Sequence, residues 1–137
     1  MLMGARLTAG AAAMAIAALA PVVQSAGSTA RSAATAVGIG EREYRIAIYR
    51  PQVSPGRVHF NVTNLGEDVH NFVVRSPSGR RVSESLDIRS GANVTLSVLL
   101  TKPGRYTLVC TKLDHEARGM VTHLRVKVPK RRSGVRR

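Results

Sequence analysis

From Glu43 onward, apolar side chains return at every second position in short runs, and this rhythm confines the chain to β structure. Tyr44, Ile46 and Ile48 alternate with Arg45, Ala47 and Tyr49. Val58, Phe60 and Val62 alternate with His59, Asn61 and Thr63, and Leu96, Val98 and Leu100 with Thr95 and Ser97. Tyr106, Leu108 and Cys110 share a face, and Leu124, Val126 and Val128 alternate with His123, Arg125 and Lys127. Successive strand residues point to opposite sides, so a period of two means one buried face and one wet face. Turn residues separate the runs: Pro55-Gly56, Asn64-Leu65-Gly66, Pro77-Ser78-Gly79, Ser90-Gly91 and Pro103-Gly104. No helical period interrupts them. Many short strands at this spacing predict an all-β fold, an antiparallel sandwich over residues 43–128.

The ends read differently. Leu7 to Val23 is an almost unbroken Ala-rich apolar stretch behind Arg6, the pattern of an export signal over residues 1–26, with candidate cleavage positions as far on as Ala36. The stretch is broken by Pro21 and is short for a membrane span, which favours a cleaved signal over a retained anchor. No Arg-Arg pair precedes it, so export of an unfolded chain is expected, with any metal loaded outside the cytoplasm. Residues 27–42 are small and aperiodic and are expected to form a flexible leader. Residues 129–137 close the chain as a basic tail, expected to be disordered. The net charge is +13, and arginines outnumber lysines seventeen to four. Such a surface fits an acidic redox partner, an anionic membrane or a cell-wall polymer. Nucleic acid is not expected, because the few aromatic residues are not interleaved with the basic ones.

Chemistry concentrates in eleven residues. Cys110, His115 and Met120 lie in the run Cys110-Thr-Lys-Leu-Asp-His115-Glu-Ala-Arg-Gly-Met120, and His70 lies upstream in Asp68-Val-His70-Asn-Phe. Cys110 is the sole cysteine of a chain expected to be exported, so it forms no internal disulfide. One thiolate, two imidazoles and a weak thioether are the donor set of a mononuclear type 1 copper centre. Such a set suits both Cu(II) and Cu(I), so electrons pass with little ligand movement. Strand phase turns His70, Cys110 and Met120 inward and turns His59 and His123 outward, which leaves the last two out of the site.

The segments Val58–Gly66 with His70-Asn71, Pro103–Cys110, and Cys-x4-His-x4-Met together resemble the cupredoxins, the small blue copper proteins, over Glu43 to Val128. The loop spacing is similar to that of the rusticyanin-like branch. The resemblance implies a Greek-key β-sandwich holding one copper, with His70, Cys110 and His115 equatorial and Met120 axial. It also implies that Asn71 bridges to Thr111 and braces the site. Many members carry Pro-Gly before the second histidine. Here Leu113-Asp114 takes that place, which puts the Asp114 carboxylate beside His115.

Other classes fit less well. A dinuclear copper centre needs two thiolates, a trinuclear cluster needs His-x-His pairs, and structural zinc prefers sites without thioether. An inward Cys110 is poorly placed as a hydrolytic nucleophile. The expectation is therefore an exported, monomeric electron carrier and not an enzyme. A copper carrier without redox turnover, and a metal-free interaction module of the same fold, remain as alternatives.

Overall fold

The computed structural model describes residues 33–130. The expected signal segment and nearly all of the basic tail lie outside these residues. Nine strands are present among them: β1 (Thr35–Arg42), β2 (Arg45–Ile48), β3 (Gln52–Val53), β4 (Gly56–Asn64), β5 (Val73–Arg75), β6 (Arg81–Glu84), β7 (Asn93–Leu100), β8 (Gly104–Val109) and β9 (Val121–Val126). They form a four-stranded sheet in the order β2-β1-β4-β7 and a five-stranded sheet in the order β3-β9-β8-β5-β6. The chain passes from one sheet to the other between β2 and β3, β3 and β4, β4 and β5, β6 and β7, and β7 and β8. The core fills the space between the sheets. Val37, Ile39, Val58, Phe60, Val62, Val98 and Leu100 face Phe72, Val74, Tyr106, Leu108, Leu124 and Val126. The expected all-β sandwich is therefore present, with no helix among the described residues.

Two points differ from the expectation. The sheets are mixed: β1 pairs with β4 in parallel, and so does β3 with β9. Parallel neighbours need a crossover between them, which β2 and β3 supply for the first pair. Second, residues 35–42, expected to belong to a flexible leader, form β1 in the middle of a sheet, paired to β2 on one side and β4 on the other. The pattern there was obscured by glycine. Val37 and Ile39 point into the core and Gly38 and Gly40 point out, so only two apolar residues carry the period. The third inward residue is Glu41, which is fully buried. Tyr49 covers the glycine face, since a Cβ on Gly38 would come within 2.9 Å of its ring.

The expected turns are where the chain reverses, and Gly79 and Gly91 take φ of 82° and 76°, a region open mainly to glycine. Tyr106, buried on β8, donates its hydroxyl to the Lys102 carbonyl at 3.0 Å and so ties that strand to its incoming loop. Val128, expected on the last strand, lies beyond β9 and is exposed.

Candidate metal centre

His70 precedes β5 rather than lying within it. It is held by a bridge to Ile88: His70 N–H donates to the Ile88 carbonyl at 3.1 Å, and Ile88 N–H returns to the His70 carbonyl at 2.8 Å. The loop leading into it is organised by Asn64, a buried amide at the end of β4. Asn64 Nδ2 donates to the carbonyls of Asp68 (2.7 Å) and Ile88 (2.8 Å), and its Oδ1 accepts from Gly66 N–H (2.9 Å).

Cys110 follows the last residue of β8. The segment after it winds through tight turns, with His115 N–H donating to the Lys112 carbonyl and Arg118 N–H to the Asp114 carbonyl. It closes on itself where Met120 N–H donates to the His115 carbonyl (2.9 Å) and Cys110 N–H to the Met120 carbonyl (3.2 Å). Gly119, at φ 104°, permits that closure. Leu113 lies in the turn before His115, at a left-handed φ of 45° with its side chain almost wholly exposed. Salt bridges fasten the loop from outside. Lys112 pairs with Asp87, and Arg75 grips both oxygens of Glu116 at 2.5 and 3.0 Å. That pairing lowers the Glu116 carboxyl pKa and raises that of Arg75.

These elements bring three donor atoms together. His70 Nδ1 and His115 Nδ1 are 3.2 Å apart, and Cys110 Sγ lies 3.9 Å from the first and 3.6 Å from the second. A triangle with those sides has its centre about 2.1 Å from each corner, within roughly the 2.0–2.3 Å that imidazole nitrogen and thiolate keep from a metal ion such as zinc. The donor spacing thus fits a metal ion bound by all three. All three side chains are buried, as is Met120. The structure thus brings together His70, Cys110 and His115, and seats Met120 where the loop rejoins β9. His59 and His123 are half-buried and take no part in the cluster.

Electrostatics favour neutral imidazole and demand a cation for the thiolate. Burial, reinforced by the neighbouring His115, lowers the His70 pKa. Burial raises the Cys110 thiol, so the cysteine is a poor anion until a metal ion replaces its proton. Around the cluster, Asn71 and Thr111 meet as the resemblance implies. Asn71 Nδ2 donates to Thr111 Oγ1 at 2.9 Å and to Glu84 Oε1 at 2.9 Å, and Thr111 N–H donates to Asn71 Oδ1 at 2.8 Å. This lattice ties the residue after the first histidine to the residue after the cysteine.

Four neighbours of the site escaped the sequence. Asn64 is one. Tyr44, expected on a strand face, instead sits in the β1–β2 turn at φ 60°, with its ring edge-on to His115 (5.5 Å between centroids) and the Arg118 guanidinium 3.7 Å above its centroid. Glu43 Oε1 lies 3.6 Å from His70 Nε2. The carboxylate beside His115 is that of Asp68, at 3.7 Å from Nε2; Asp114, expected there, turns out to Arg118. Neither Glu43 nor Asp68 sits at a spacing from its histidine that sequence alone makes meaningful.

No protein-family model matches the sequence, and no curated protein does. Solved structures do match. An auracyanin from the photosynthetic bacterium Roseiflexus castenholzii is 18% identical with a TM-score of 0.61, over 70% of this chain and 99% of that one. Auracyanin A, a "blue" copper protein from Chloroflexus aurantiacus, is 18% identical with a TM-score of 0.60, over 69% and 100% of the two chains. A multicopper oxidase matches at 12% identity and a TM-score of 0.54, over 68% of this chain and 44% of its own. The chain has the cupredoxin fold, as the motifs around His70 and Cys110 led one to expect.

Proposed function

We propose that the protein is an exported electron carrier built around one type 1 copper. The observation that carries this reading is the triangle of His70 Nδ1, His115 Nδ1 and Cys110 Sγ, buried in a fold shared with blue copper proteins. Cys110 would hold the copper through its thiolate, His70 and His115 through their imidazoles and Met120 through its thioether. When bound there, copper supplies a one-electron couple whose two states tolerate nearly the same coordination. The chain's own residues do the rest. Strand β8 and the His70–Ile88 bridge hold the donors, and the Asn71–Thr111 hydrogen bonds lock those supports together. Ion pairs from Asp87 and Arg75 keep the ligand loop from following the change in metal charge. Burial excludes water that would otherwise complete a different geometry.

The basic composition points to an acidic redox partner or an anionic surface, and the apolar segment near residue 7 to delivery outside the cytoplasm. A closed, buried cage favours electron transfer over metal hand-off. Cyclic voltammetry of the copper-loaded protein tests this. A reversible one-electron wave that persists over repeated cycles without loss of copper is expected. Release of copper on reduction would identify a copper carrier instead, and failure to bind copper a metal-free module.

A further inference from the structure

His70 must present an Nδ1 lone pair to any metal held by the cluster, which requires its proton on Nε2. That nitrogen is buried and makes no hydrogen bond with a described residue, while the acceptor facing it is Glu43 Oε1 at 3.6 Å. Glu43 is itself fixed. Its Oε1 accepts the backbone N–H groups of Glu67 (2.6 Å) and Asp68 (2.9 Å). Gly66 makes the approach feasible, since a Cβ there would lie 2.2 Å from the same oxygen. Two N–H donors on one carboxyl oxygen favour the charged carboxylate form. The adjoining residue of the same two-residue turn, Tyr44, packs on His115 under Arg118.

Resting on the copper reading above, we infer that Glu43 is a positioning residue for His70: its carboxylate selects the Nε2-protonated tautomer, aims Nδ1 at the metal and stabilises the more highly charged oxidation state. A carboxylate behind a metal-bound imidazole orients the ring and raises its basicity. The pair stands about 0.5 Å beyond a formed hydrogen bond, close enough for the carboxylate charge to act on the ring N–H. In the metal-free protein the two Nδ1 atoms are close enough to share one proton. Glu43 then makes His70 the acceptor of that contact and His115 the donor. Asp68 stands in the corresponding position to His115, but its side chain is 54% exposed against 33% for Glu43, so solvent screens it more.

Two measurements test this. In metal-free full-length protein, ¹⁵N chemical shifts should show His70 protonated at Nε2 at neutral pH; protonation at Nδ1 would overturn the inference without any variant. In copper-loaded protein, Glu43→Gln retains an acceptor for the Glu67 and Asp68 amides but removes the charge. It should weaken Cu(II) binding about tenfold while Cu(I) binding changes less, which raises the reduction potential by up to about 59 mV. Glu43→Asp, which keeps the charge but withdraws it, should shift the potential in the same direction by a smaller amount, and Asp68→Asn should move it less than Glu43→Gln. An unchanged or lower potential in Glu43→Gln, with wild type blue and reversible, would refute the role of Glu43 and leave the copper reading intact. A colourless wild type would refute the copper reading itself.

Discussion

Replacing Glu41 by leucine should stabilise the protein, and increasingly so as the pH rises. Glu41 follows Val37 and Ile39 on the inward face of β1 and is fully buried. Neither carboxyl oxygen has a hydrogen-bond partner among the described residues. Removal from water without compensation disfavours the charged form, and burial pushes the carboxyl from 4.5 up to about 8. Between those values the folded protein retains a proton that the unfolded chain has released. The unfolded state binds fewer protons, so stability falls as pH rises through this window. At 1.36 kcal/mol per tenfold change, the loss from this one group between roughly pH 5 and pH 9 is about 4 kcal/mol. That is a large share of the stability of a domain this size. Leucine has nearly the same shape and does not titrate. Urea unfolding of the metal-free wild type and Glu41→Leu at pH 5, 7 and 9 measures the difference directly. The buried Cys110 thiol, also raised, contributes with the same sign to both proteins and cancels to first order. A stability difference that is the same at pH 5 and pH 9, or a variant less stable than wild type at pH 9, would refute the reasoning.

Asn64→Ala should cost about 2–4 kcal/mol in denaturant unfolding, because it deletes an amide that serves two carbonyls and one N–H inside the protein. The same change should loosen the loop before His70, seen as faster amide exchange at Gly66 to Asp68. Leu113→Gly should raise stability by about 1 kcal/mol, since a leucine at φ 45° with an exposed side chain gains nothing from packing there; an unchanged melting temperature would show that the turn is unstrained. Met120→Leu should retain copper and raise the reduction potential, because a thioether donates weakly to Cu(II) and an alkyl group does not. An equal or lower potential would exclude an axial role for Met120.

The legible parts of this molecule are those where local pattern and global fold agree. Cys110, His115 and Met120 share one loop, so their spacing carried the geometry, and the alternation in β4, β7, β8 and β9 reported one buried face. His70 was legible because Asn71 and Phe72 gave it a context. The pattern failed where a strand departs from it. In β1, two glycines and a buried glutamate hide the period, and it is the pairing to β2 and β4 that shows that residues 35–42 belong to the sandwich. Tyr44 kept the strand rhythm but occupies a turn, because the two-residue connection between Arg42 and Arg45 needs a left-handed residue there. Glu43 and Asp68 reach their histidines through tertiary contact, over a distance in sequence to which no period corresponds. Asp114 shows the opposite failure: adjacency to His115 in sequence did not make it a neighbour of the ring, because the loop turns that side chain outward to Arg118.

The most direct test of the central claim is the visible absorption spectrum of the purified protein on addition of one equivalent of Cu(II), beside that of Cys110→Ser. A buried thiolate between two imidazoles should give wild type an intense thiolate-to-copper charge-transfer band, and the serine variant none. Copper bound by wild type without that band, or a serine variant that stays blue, would contradict the assignment of His70, Cys110 and His115 as a type 1 copper site.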